Sequence, residues 1–163
     1  MNAIVNVSCS WGIGRGNDLL VRIPEDLKHF RHITLGKTVI LGRATLAGFP
    51  GGAPLPGRRN IVLSRDPDFR AGDAVVCRNK DEVLKAVSGL NPDEVFVIGG
   101  ESVYREFLPF CRRIYVTRTE TGETADRFFP DLDQMGWRRE EESPLMESGG
   151  LFYRYITYVN PNL

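Results

Sequence analysis

The stretch Val95-Phe96-Val97-Ile98-Gly99-Gly100-Glu101-Ser102 decides the fold class. Val95 to Ile98 is a short, uninterrupted apolar run and reads as a strand buried on both faces. The glycine pair ends it, and Val103, Phe107 and Leu108 then recur at helical spacing before Pro109. A buried strand that turns through glycines into a helix is the repeating unit of a parallel sheet covered on both sides. The same pattern recurs on either side of it. Ile4 to Val7, Thr38 to Leu41, Asn60 to Leu63, Ala74 to Val76 and Ile114 to Val116 read as further buried strands. Pro24 suits a first helical position, so a helix runs from there and stops before Gly36, with Leu27, Phe30 and Ile33 on its apolar face. Asn79 with Glu82 is a variant capping box that opens another helix, striped by Val83, Leu84 and Val87 and ending near Gly89. Beyond Thr117 the pattern changes. Trp137 to Glu140 and Phe152 to Val159 read as extended segments joined across the turn-rich Glu147-Ser148-Gly149-Gly150, an antiparallel hairpin that finishes the sheet. The fold class is α/β, a mostly parallel central sheet with an antiparallel C-terminal hairpin and flanking helices, in one domain over residues 1–163.

Composition narrows the function. The chain has 163 residues, 42% of them hydrophobic, enough for a single core. Lys plus Arg and Asp plus Glu are 21 each, so no global field recruits nucleic acid or an anionic membrane, and any anion site is local. No apolar run is long enough to span a bilayer, and MNAIVNVSCSW lacks the pattern of a signal peptide, so a cytoplasmic protein is expected. The three cysteines, Cys9, Cys77 and Cys111, are widely spaced and fit neither a disulfide framework nor a thiolate metal site; they read as reduced and mostly buried. His29 and His32 lack partner ligands and read as surface residues, and no metal is expected.

In open α/β sheets ligands collect beyond the carboxyl ends of the strands. Three of those ends carry anion-binding chemistry: Gly42-Arg43-Ala44-Thr45, Ser64-Arg65 and Gly99-Gly100-Glu101-Ser102. Each alone is common, since a glycine pair after a strand is usually a turn and an arginine there is usually solvated; their coincidence favours a nucleotide cofactor. Gly12, Gly14 and Gly16 are spaced G-x-G-x-G with no helical pattern behind them, so they are not a dinucleotide fingerprint. Trp11 to Asn17 reads as a mobile loop able to close over a ligand, or equally as an ordinary flexible connection. Asp26 sits beside the apolar face carrying Phe30 and Ile33. An acid in a first helical turn is often there for the helix dipole, which suits Glu25; in an apolar cleft a carboxylate needs a paired N–H ligand such as the edge of a heterocycle, and a pterin would meet that need.

In order and spacing, these residues resemble bacterial dihydrofolate reductases over nearly the whole chain. The resemblance rests on Trp11-Gly12-Ile13-Gly14, Ile23-Pro24-Glu25-Asp26-Leu27 with Phe30, Val39-Ile40-Leu41-Gly42-Arg43-x-Thr45, Pro54-Leu55-Pro56-Gly57-Arg58-x-Asn60, Val97-Ile98-Gly99-Gly100, Tyr104 and Thr117. It implies NADPH-dependent hydride transfer to C6 of 7,8-dihydrofolate with protonation at N5. It implies that Asp26, supported by Thr117, holds the pterin, with Asn6 beside it. Leu27, Phe30, Phe49 and Leu55 would wall the rings, and Arg58 would pair with the α-carboxylate of the glutamate tail. Ile13, Gly14 and Leu19 would cover the cofactor. Arg43, Thr45, Ser64 and Arg65 would engage its adenosine phosphates, with Gly42, Ala44 and Leu63 also binding the cofactor. Gly99 and Gly100 would border the nicotinamide, with a cis peptide between them, and Ile98, Glu101, Ser102, Val103 and Tyr104 would also bind the cofactor. Asp126 with Phe129-Pro130 resembles the family loop that steadies the covering loop. The implied partners are dihydrofolate and folate-like antifolates, and the implied state is a monomer. Two positions depart from the family pattern: Val21 stands where many bacterial members carry a water-organising tryptophan, and Asn6 where a small alanine is usual. The competing readings are a riboflavin-pathway NADPH reductase of similar fold and a non-catalytic pterin- or nucleotide-binding protein; the Pro24/Asp26/Phe30 helix and Pro54 to Arg58 favour folate.

Overall fold

The structure, a computed structural model, describes residues 1–16 and 18–163. In chain order its elements are β1 (Asn2–Ser8), β2 (Gly12–Arg15), β3 (Asp18–Leu19), α1 (Pro24–Thr34), β4 (Thr38–Gly42), α2 (Arg43–Ala47), β5 (Arg59–Leu63), β6 (Val75–Cys77), α3 (Lys80–Val87), β7 (Val95–Gly99), α4 (Glu101–Phe107), β8 (Arg113–Glu120), β9 (Arg127–Phe128), β10 (Arg138–Glu142), β11 (Met146–Ser148) and β12 (Leu151–Val159). The main sheet runs β10-β12-β8-β1-β7-β4-β5-β6, with β11 paired to β12. From β8 to β6 every pairing is parallel, and β12 turns the sheet antiparallel at β8.

Side-chain alternation along β1 sorts two cores. Ala3, Val5 and Val7 point into one, with Val83 of α3 and Val103 and Phe107 of α4. Ile4 points into the other with Val39, Leu41, Phe96 and Ile98, where Phe30 and Ile33 of α1 pack. Helices therefore cover both faces, α1 on one and α3 and α4 on the other. The chain leaves β1 for β4, β5 and β6, then returns to insert β7 between β1 and β4. That reversal opens a crevice beyond the strand ends. Tyr104 bridges the layers: its buried hydroxyl donates to the Ile4 carbonyl at 2.7 Å, and burial pushes the phenol far above the usual tyrosine pKa.

The helix-end signals place their elements. Asn79 caps α3 by accepting from the Glu82 N–H at 2.9 Å, while Glu82 reaches back to the Arg78 N–H at 2.7 Å. Several sequence expectations change. Trp11 to Asn17 is not simply a loop, because Gly12–Arg15 forms the centre of a three-stranded antiparallel sheet, β3-β2-β9; Asn17 itself lies outside the described residues. Segments this short and glycine-rich carry no readable alternation. The C-terminal hairpin gains a strand: Gly149-Gly150 joins β11, not β10, to β12, and β10 pairs further along with an irregularity between Arg139 and Glu141. β6 lies at the sheet edge with Val75 exposed, so it is not buried on both faces. His29 is not a surface residue but half-buried, its ring stacked 4.0 Å from that of Tyr155, and burial lowers its pKa; His32 is exposed. Cys77 and Cys111 are buried free thiols and Cys9 is exposed.

Candidate active site

A cleft of about 920 Å³ opens along the carboxyl ends of β1, β7, β4 and β5. At its inner end stands Asp26, in the first turn of α1. That helix starts at Pro24, and its packing through Phe30 and Ile33 aims the Asp26 carboxylate at the central strands. Thr117 of β8 donates its hydroxyl to Asp26 Oδ1 at 2.6 Å, and Asn6 of β1 donates its amide Nδ2 to Oδ2 at 2.9 Å. Asn6 and Thr117 are register partners in the β1–β8 pair, which is why residues so far apart in sequence meet at one carboxylate. Each carboxylate oxygen retains acceptor capacity toward the cleft, matching a ligand edge that offers two parallel N–H groups.

Leu27, Phe30, Phe49 and Leu55 line the outer walls beside Asp26, and Leu27 is 44% exposed although apolar, because its side chain faces the open cleft. The loop that carries Leu55 is held by Asn60. The Asn60 Oδ1 accepts from the Leu55 N–H, and its Nδ2 donates to the Leu55 and Arg58 carbonyls, all at 3.0 Å. At the mouth, Arg58 is pre-oriented. Its Nε and Nη2 donate to the Pro56 carbonyl at 3.0 and 2.8 Å, and its Nη1 donates to the Thr34 hydroxyl at 3.2 Å. Burial, and then the neighbouring Arg31, lower the Arg58 pKa from the usual arginine value. Such a guanidinium favours a carboxylate partner.

The other half of the cleft carries cationic and hydroxyl side chains of the kind that bind an extended polyanion. Gly42, Arg43, Ala44 and Thr45 line it at the start of α2, and Leu63, Ser64 and Arg65 at the end of β5. Arg43 is steadied by Asp66 at 3.4 Å and lies 4.2 Å over the Phe69 ring. Ile98, Gly99, Gly100, Glu101, Ser102, Val103 and Tyr104 line the far wall, and the Gly99–Gly100 peptide is cis. Gly99 has φ of 128°, which L side chains rarely adopt, and a Cβ on Gly100 would sit 3.2 Å from the Thr45 hydroxyl oxygen. Glycines here keep the backbone open to a ligand. Ile13, Gly14 and Leu19 reach the cleft from the small sheet. That sheet is tied down by Asp126, whose carboxylate accepts from the Gly16 N–H at 3.1 Å and whose N–H donates to the Gly14 carbonyl at 3.0 Å. Glu101 adds a tie from α4, accepting the Phe128 N–H at 2.5 Å.

Every site residue expected from the sequence therefore lines this one cleft. The structure adds others, among them Ile4, Val5, Arg22, Arg31, Arg78, Asn79 and Arg127. Arg78 follows β6, as Ser64 and Arg65 follow β5, so the strand-end rule applied once more would have found it. Among the described residues no cluster of His, Cys, Asp and Glu fits a metal ion.

The sequence profile described as Dihydrofolate reductase matches residues 1–160. The chain belongs to the dihydrofolate reductase family. It is 43% identical over 150 residues to the dihydrofolate reductase of Mycobacterium tuberculosis, covering 90% of this chain and 89% of that protein. It is 36% identical over 152 residues to that of Bacillus subtilis, covering 92% and 88%. A solved structure of dihydrofolate reductase from Enterococcus faecalis, complexed with NADP(H) and RAB-propyl, superimposes with a TM-score of 0.87 at 32% identity, covering 98% of this chain and 95% of the other. Family membership sets aside the riboflavin-pathway reading.

Proposed function

We propose that residues 1–163 act as one unit that reduces 7,8-dihydrofolate to 5,6,7,8-tetrahydrofolate with NADPH, each half of the cleft holding one reactant. Family membership supports the reaction and its cofactor. The observation that carries the assignment of roles is the Asp26 carboxylate, fixed at both oxygens by Thr117 and Asn6 beside the apolar wall of Leu27, Phe30, Phe49 and Leu55.

Asp26 receives the N–H edge of the pterin, and its negative charge favours the protonated ring as hydride arrives at C6. Leu27, Phe30, Phe49 and Leu55 hold the pterin and aminobenzoate rings and exclude water, and Arg58 takes the α-carboxylate of the glutamate tail. The proton for N5 comes from water admitted beside the covering sheet. The residues of the other half fit NADPH: Arg43 and Arg65 with Thr45, Ser64 and Ser102 are the donor set its phosphates require, and Gly99–Gly100 leaves room for a flat ring. When bound, NADPH supplies the hydride. Ile13, Gly14 and Leu19 close the cofactor side, with Asp126 holding their sheet in place.

Folate-like antifolates with the same paired N–H edge are proposed to bind at Asp26 as well. We further propose a cytoplasmic monomer that engages neither nucleic acid nor membrane. The balanced charge supports this, and no helix among the described residues is long and apolar enough to cross a membrane. Loss of NADPH absorbance on adding dihydrofolate, compared with the riboflavin-pathway intermediate, tests the activity, and light scattering tests the monomer. NADPH consumption with the riboflavin intermediate alone would refute the folate assignment.

A further inference from the structure

Asn6 is more than a lining residue. Its amide lies between two side chains, donating through Nδ2 to Asp26 Oδ2 at 2.9 Å and accepting through Oδ1 from the Thr119 hydroxyl at 2.9 Å. A carboxylate oxygen accepts only, so the amide nitrogen must face Asp26; the hydroxyl then supplies the donor that the amide oxygen needs. Thr119 is fully buried and Thr117 is 3% exposed, so neither β8 hydroxyl is free to swing away. Thr117 and Thr119 are two apart on β8 and share one face, while the β1–β8 register sets Asn6 beside Thr117. The result is a hydrogen-bonded chain in which one β8 hydroxyl holds Asp26 directly and the other holds it through Asn6.

We infer that Asn6 is a positioning residue for Asp26, oriented by Thr119, that fixes the plane of the carboxylate so that both oxygens face a ligand edge carrying two N–H groups. Thr117 alone leaves the carboxylate free to rotate about its single anchored oxygen; the Asn6 donor on the second oxygen removes that rotation. Dihydrofolate, whose pterin offers such an edge, is better aligned for reaction when both anchors hold than when Thr117 holds alone. The inference rests on Asp26 being the pterin anchor, and its test separates the two claims.

The experiment measures the hydride-transfer rate at saturating NADPH, KM for dihydrofolate and Kd for NADPH. The variants are Asn6→Ala, Asn6→Asp and Thr119→Val, each alone and combined with Asp26→Asn. Asn6→Ala is expected to slow hydride transfer ~10-fold, the lower range for losing one hydrogen bond to a charged group. KM should change less and NADPH Kd should not change. Asn6→Asp is closer in size to asparagine but sets a carboxylate against Asp26, so it is expected to be slower than Asn6→Ala. A residue that only filled space would give the opposite order. Thr119→Val, which leaves the Asn6 amide in place but unsteadied, is expected to fall between wild type and Asn6→Ala, and it decides the question should Asn6→Ala not fold. On the Asp26→Asn background the Asn6→Ala effect should shrink to about twofold or less, because residues acting through one another are not additive. An Asn6→Asp variant faster than Asn6→Ala, or a full ~10-fold loss that persists without the Asp26 charge, would overturn the inference. Wild-type rates in Asp26→Asn alone would instead refute the anchor.

Discussion

Asp26→Asn is the most informative single substitution, because its effect follows from groups whose positions are known. The carboxylate now accepts from Thr117 at 2.6 Å and from Asn6 at 2.9 Å, with one face of each oxygen left for the ligand. An amide at position 26 must point its oxygen at Asn6, whose NH₂ can only donate, and its own NH₂ at Thr117, whose hydroxyl can turn to accept. A ligand edge with two N–H groups then meets one acceptor and one donor. One charge-assisted bond becomes neutral and the other becomes a donor–donor conflict. At about 1.5–3 kcal/mol for each hydrogen bond to a charged group, the loss is roughly 3–6 kcal/mol. With tenfold per 1.4 kcal/mol, the expected slowing of hydride transfer is at least ~100-fold near neutral pH. Side-chain size and both protein partners are kept, so the fold and NADPH affinity should be unchanged. Lowering the pH should partly restore turnover, as protonated dihydrofolate becomes available from solution. Stopped-flow measurement with NADPH and dihydrofolate across about pH 6 to 8 makes the test. A folded Asp26→Asn variant within tenfold of wild type throughout that range would refute the assignment.

Replacing Arg43 and Arg65 with alanine should narrow the preference for NADPH over NADH, by ~10-fold or more in kcat/KM for the pair, since charge-assisted contacts to the extra phosphate are lost; equal constants for the two cofactors in the parent protein would count against the assignment. Gly14→Ala places a Cβ 2.7 Å from the Asp18 carbonyl oxygen, so the β2–β3 pair must shift and NADPH affinity, read by fluorescence titration, should fall. Asp133 is held below the usual carboxylate pKa first by the Arg139 guanidinium at 2.9 and 3.1 Å and then by the Tyr158 hydroxyl. A lowered native pKa gives stability that is fully present above about pH 4 and lost as pH falls through the native value, so Asp133→Asn should lower Tm at neutral pH and the gap should close in acid. Val21→Trp should change the pH dependence of hydride transfer measured by pre-steady-state kinetics, and an unchanged profile in a folded variant that binds both ligands would show that position 21 does not control proton delivery.

What could be read from the sequence, and what could not, divides by the range of the interaction. Val95 to Ile98 with its glycine pair, Pro24 and the Asn79–Glu82 cap are local signals, and each element formed where those residues placed it. The β3-β2-β9 sheet is held by pairing between Gly12–Arg15 and Arg127–Phe128, strands too short to show a period, so only the contact from Asp126 hinted at it. β11 shows no period for the same reason, its three residues leading directly into the Gly149-Gly150 turn. Asn6 is the clearest case. Its departure from the family pattern was visible as a side chain, but its partners depend on the register of β1 against β8. A one-residue slip of that pair would turn Asn6 to the opposite face, away from Asp26. That register is set by the burial of Ala3, Val5 and Val7 in one core and Ile4 in the other. The geometry of the Asp26 carboxylate therefore depends on the packing of apolar residues along β1 that place Asn6 on its face of the sheet.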